Sequence, residues 1–65
     1  MSHYTLKLSD DNKTLTVNVL DEGKTSYSYT LLPDQTDRLN KGEATEGEIY
    51  AECELGYRYE EVSNV

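Results

Sequence analysis

The sequence predicts a mainly β domain, or a small α+β one. The expected order is a three-stranded antiparallel meander, a short helix or ordered loop, and a C-terminal β-hairpin, closing into one curled sheet or a small open barrel. Three observations on the 65-residue chain predict this. Apolar and polar residues alternate with a period of two in the first half, Asp/Asn/Gly clusters separate the alternating runs, and Pro33 interrupts the pattern where the chain must change direction.

The first run sets Tyr4, Leu6 and Leu8 on one side and Thr5, Lys7 and Ser9 on the other. The same period recurs in Leu15, Val17 and Val19, and again in Tyr27, Tyr29 and Leu31. A four-residue loop, Asp10-Asp11-Asn12-Lys13, places Leu8 opposite Leu15 and Leu6 opposite Val17. A three-residue turn, Asp21-Glu22-Gly23, with Gly23 left-handed, pairs Val17 with Tyr27 and Leu15 with Tyr29. A slip of one residue would turn the apolar set to solvent, so patterning and turn length agree on the register.

After Pro33, residues 34–41 are expected to form about two helical turns, capped by Asp34 and ended by Gly42, with Leu39 toward the sheet. For residues 46–55 two readings compete. Thr45-Glu46-Gly47-Glu48 fits a helix-opening capping box. At 100° per residue, however, Ala51 and Leu55 would fall opposite Ile49 and Cys53, leaving no single apolar stripe. As a strand, Ile49, Ala51, Cys53 and Leu55 face inward. With Glu54-Leu55-Gly56 as a three-residue turn, Cys53 then sits opposite Tyr57, Ala51 opposite Tyr59 and Glu52 opposite Arg58, and Leu55 falls partly exposed in the turn. The hairpin is the expectation. The expected interior is Tyr4, Leu6, Leu15, Val17, Val19, Tyr27, Tyr29, Leu39, Ile49, Ala51, Cys53, Tyr57 and Tyr59.

A chain this short supports one domain, 1–65, near the lower size limit for independent folding. The single cysteine excludes an internal disulfide, and His3 with Cys53 falls short of a four-ligand zinc site, so no metal or cofactor is expected. An unpaired thiol, no leader pattern and no apolar run of about 20 residues point to a cytoplasmic protein without a membrane span. No catalytic residues are expected. The one histidine lies at the N-terminus, Cys53 faces the core, and neither Gly23 nor Gly56 belongs to a phosphate-cradling loop. Asp10, Asp11 and Asn12 lack the alternating ligand spacing of a calcium loop and are explained by turn chemistry.

The net charge of −7 is uneven. Residues 1–33 carry three lysines against four acids, which leaves −6 for residues 34–65. Such charge disfavours direct nucleic-acid binding and favours a protein partner with a basic surface. On the expected strand, Glu46, Glu48, Tyr50, Glu52 and Glu54 share the outer face. A solvated strand face accounts for them without a partner. The sharper reading is a row of carboxylates around an aromatic anchor that occupies a basic nucleic-acid-binding surface, making the protein a non-enzymatic inhibitor or decoy. Size and charge sign are shared with many phage-encoded inhibitors, DNA mimics among them. The alternative is an assembly component that forms a homodimer through a sheet edge or through its Thr/Ser face.

Overall fold

The computed structural model describes residues 3–21 and 25–59. Strands β1 (Tyr4–Leu8), β2 (Thr14–Val19) and β3 (Thr25–Thr30) form an antiparallel sheet in the order β1-β2-β3, followed by helices α1 (Pro33–Asn40) and α2 (Glu46–Glu54). The result is a small α+β domain with an open sheet. No helix among the described residues is long and apolar enough to cross a membrane.

The meander has the register that patterning requires: Leu8 pairs with Leu15, Leu6 with Val17, Val17 with Tyr27 and Leu15 with Tyr29. In the first turn Asn12 adopts a left-handed φ of 55°, a conformation asparagine tolerates better than most residues. The Asp11 carboxylate accepts from Ser9 Oγ (2.7 Å) and Lys13 N (3.1 Å), and these bonds hold its pKa below the usual value. The Gly23 turn lies outside the described residues, but the pairing of Val19 with Thr25 shows the register on its far side.

Helix α1 matches the expected helix within one residue at each end. Pro33 opens it and Leu32, rather than Asp34, is the N-cap; the Gln35 side-chain oxygen accepts from Leu32 N at 2.8 Å. At the other end Gly42, with φ 72°, donates to Leu39 O, and Glu43 N donates to Arg38 O. These paired bonds form a Schellman stop.

The C-terminal hairpin is replaced by helix α2. Thr45 and Glu48 form the capping box: Thr45 Oγ1 accepts from Glu48 N (3.2 Å) and Glu48 Oε1 accepts from Thr45 N (2.8 Å). Gly56 has the positive φ expected of a turn glycine, 100°, but it ends the helix. Gly56 N donates to Cys53 O and Tyr57 N to Glu52 O, again a Schellman arrangement. The helix needs no broad apolar stripe because two residues one turn apart, Ile49 and Cys53, are both fully buried against the sheet. Ala51, expected inside, is exposed, and Leu55 is 88% exposed.

The core lies between the helices and one sheet face. Leu15, Leu31, Ile49 and Cys53 form its centre, flanked by Leu6, Leu8, Tyr29, Leu39, Ala44 and Tyr50. Four tyrosines expected inside, Tyr4, Tyr27, Tyr57 and Tyr59, are instead 39–49% exposed at its margins. Their rings cover apolar edges while the hydroxyls reach water or carboxylates. On the opposite sheet face, cross-strand polar pairs join Thr16 to Ser28 (3.2 Å) and Ser26 to Asn18 (2.7 Å).

Candidate functional site

The helix redistributes the residues expected to form one acidic row. Side chains four apart advance by about 40° around a helix, so Glu46, Tyr50 and Glu54 fall on one flank and Glu48 and Glu52 on another. Each carboxylate therefore has its own surroundings.

Glu52 is an internal strut. It receives a bidentate ion pair from Arg38, with Nη2 to Oε1 at 2.7 Å and Nη1 to Oε2 at 2.8 Å, and a further bond from Gln35 Nε2 at 3.0 Å. Arg38 is the larger cause that holds the Glu52 carboxyl down at about 2, with Gln35 adding to it against the opposing effect of burial. Gln35, fully buried, also donates to Tyr57 O at 2.9 Å, so one amide ties α1, α2 and the segment after α2 together. Tyr57 extends the tie by donating to the Asp34 carboxylate at 2.9–3.0 Å.

Glu48 is committed to the capping box. Glu54 accepts from the hydroxyls of Tyr27 (3.3 Å) and Tyr29. Burial first, then the bond to Glu54, pushes the Tyr29 phenol up to about 12. The Arg58 guanidinium lies 5.3 Å from the centre of the Tyr29 ring and donates to Cys53 O at 2.7 Å. The Cys53 thiol is fully buried, and burial is the main cause raising its pKa, so it stays protonated at neutral pH.

Tyr50 does not stand alone among glutamates. It is half-buried and packs on the core, its ring centre 5.0 Å from that of Tyr4, and its phenol is pushed up to about 12, chiefly by the neighbouring Tyr27 hydroxyl and then by burial. Beside Tyr50 the exposed aromatic surface belongs to Tyr4 and Tyr27, which flank it from β1 and β3. The composite surface is thus Glu46, Tyr50 and Glu54 from α2, widened by Tyr4 and Tyr27. Period-two alternation placed those two tyrosines on the helix-covered face, yet their rings stay accessible at its margin.

Most carboxylates of α2 and of the segment leading into it have no ion-pair partner among the described residues. Arg38 pairs with Glu52 and Asp34, and Lys41 pairs with Asp37, whereas among the described residues no ion pair engages Glu43, Glu46, Glu48 or Glu54. A second feature, absent from the sequence expectations, is a pocket of about 380 Å³ lined by Lys13, Thr30, Leu31, Pro33, Thr36 and Tyr59. Its walls come from three separated stretches of chain, so no local motif announces it.

Comparisons of the chain with protein-family models, with curated proteins and with solved structures returned no match. The site's chemistry therefore rests on the residues above.

Proposed function

We propose that this chain is a non-enzymatic protein-binding module, an inhibitor or decoy that engages a basic nucleic-acid-binding surface of another protein. The observation that carries the reading is the uncompensated run of carboxylates around α2. Glu43, Glu46, Glu48 and Glu54 lack cationic partners among the described residues, while Arg38 and Lys41 are neutralised internally. Glu46 and Glu54, eight residues apart, sit about 12 Å apart along the helix axis, and Tyr50 lies between them. Tyr4 and Tyr27 supply exposed rings beside these charges, which suits the guanidinium and ammonium groups of a phosphate-binding surface.

The helix changes which residues test this function. Glu52 holds the fold and Glu48 caps α2, so Glu43→Gln with Glu46→Gln removes charge at exposed positions with the least structural consequence. In pull-down from a lysate, the wild-type chain should recover a nucleic-acid-binding protein that is released by salt and by added duplex DNA. The double variant should recover several-fold less. Undiminished recovery by the variant, or indifference to competing DNA, would contradict the reading.

A further inference from the structure

The hydrogen-bond parity of the sheet leaves a defined backbone edge. Leu20 N donates to His3 O (2.8 Å) and Ser9 N to Thr14 O (3.0 Å), so the odd-numbered residues at the ends of β1 direct their backbone groups at β2. In an antiparallel ladder this alternates strictly, so Tyr4, Leu6 and Leu8 direct theirs away from the sheet. Among the described residues no hydrogen bond outside the sheet engages the backbone groups of these three. At the other edge, Leu31 N bonds to Lys13 O (2.9 Å), which turns Ser26, Ser28 and Thr30 outward. There the chain covers part of its own edge, because Tyr59 N donates to Thr30 O (3.2 Å).

We propose that β1 pairs with β1 of a second copy, antiparallel about a two-fold axis through Leu6, to make a continuous six-stranded sheet. In this register Leu6 faces Leu6 of the second copy and Tyr4 faces Leu8, each facing pair exchanging two backbone hydrogen bonds. Three observations select this occupant. The outward groups are symmetric about Leu6, so one strand complements itself. β1 contains no carboxylate; its one charge, Lys7, lies on the outer face across from Thr5 of the second copy, so pairing buries no charge and brings no carboxylate of one strand against the other. The inner side chains at the edge are incompletely covered: Tyr4 is 45% exposed although its ring packs against that of Tyr50, and Leu6 and Leu8 are half-buried. Pairing extends the apolar face from one copy into the next, a reinforcement suited to a chain of this size with few fully buried side chains among the described residues.

This inference does not depend on the proposed binding function, and salt separates the two. Charge-driven partner binding weakens as salt rises, whereas two acidic copies joined by backbone bonds and apolar contact associate more tightly when their repulsion is screened. Sedimentation of the wild-type chain from micromolar to millimolar concentration should show a doubling of mass, shifted to lower concentration by added salt. Full-length chain synthesised with N-methyl-Leu6, which blocks the outward amide and keeps the side chain, should remain monomeric at every concentration. N-methyl-Ser28, blocking the other edge, should dimerise like the wild type. A wild-type monomer throughout, or dissociation by the Ser28 modification alone, would overturn the proposal.

A covalent test covers the case in which N-methylation disturbs folding. Thr5→Cys and Lys7→Cys chains mixed under oxidation should cross-link to each other several-fold faster than either does to itself, because residue 5 faces residue 7 across the axis. The buried Cys53 stays out of the reaction. Equal rates in mixed and unmixed samples would contradict the register.

Discussion

Replacing Ile49 with Ala is expected to destabilise the fold by about 2–5 kcal/mol, the usual cost of emptying a closed core site. Ile49 is fully buried beside Cys53, Leu15 and Leu31 and is the principal apolar anchor of α2. A domain of this length has a total stability of roughly 3–10 kcal/mol, so the loss should leave much of the population unfolded at 37 °C. Urea titration followed by circular dichroism measures it. Ala51→Lys is the informative partner. As a strand residue, Ala51 would face the core and Lys would be ruinous; on α2 it is exposed, and the change should fall within about 0.5 kcal/mol. A large loss from Ala51→Lys would contradict the helix.

Gln35→Leu is the second substitution with a large expected effect. The volume is nearly conserved, so the cost is polar: Leu32 N and Tyr57 O lose their partner in a part-buried setting and Glu52 keeps only Arg38. Two unsatisfied backbone groups at about 1–3 kcal/mol each, with partial relief by water, give about 2–4 kcal/mol. The same network sets an acid-side pH dependence. The Glu52 carboxyl is held at about 2 in the fold, below its ordinary value. Its contribution is therefore fully present above about pH 4.5 and is lost as pH falls toward 2. Urea midpoints across that window should decline in the wild type, and Glu52→Gln should flatten the decline. An equal slope in both proteins would place the acid sensitivity in other carboxylates.

The strands were readable because two independent constraints agreed. The alternation in 4–8, 14–19 and 25–30 chose the buried face, and the lengths of two turns chose the partners, so Leu15 could only face Leu8 and Tyr29. Helix α1 carried Pro33 at its start and Gly42 past its end, signals that tertiary structure did not override. Helix α2 carried equally plain signals, a Thr45–Glu48 capping box and Gly56, yet periodicity argued for a strand. Periodicity favours a strand only where every apolar residue of the stretch must be inside. A nine-residue helix resting on a three-stranded sheet buries only the line from Ile49 to Cys53, and Ala51 loses little by facing water. Gly56 was ambiguous for a physical reason: a hairpin and a Schellman stop both need a residue with positive φ.

The candidate site follows the same geometry. Residues spaced by two share a face on a strand and separate on a helix, so Glu52 became a strut and Glu48 a cap while Glu46, Tyr50 and Glu54 stayed together. Gln35 gave no signal at all. A glutamine in a polar helix reads as surface, and only the convergence of Leu32, Glu52 and Tyr57 around it makes its burial favourable.

The most direct measurement is the backbone NMR of residues 46–59. The helix predicts positive Cα secondary shifts and strong sequential amide contacts from Glu46 to Glu54, with Hα–HN contacts between residues three apart. Negative Cα shifts over that stretch, with cross-strand Hα contacts joining Glu52 to Arg58, would show the hairpin instead and dissolve the surface built from Glu46, Tyr50 and Glu54.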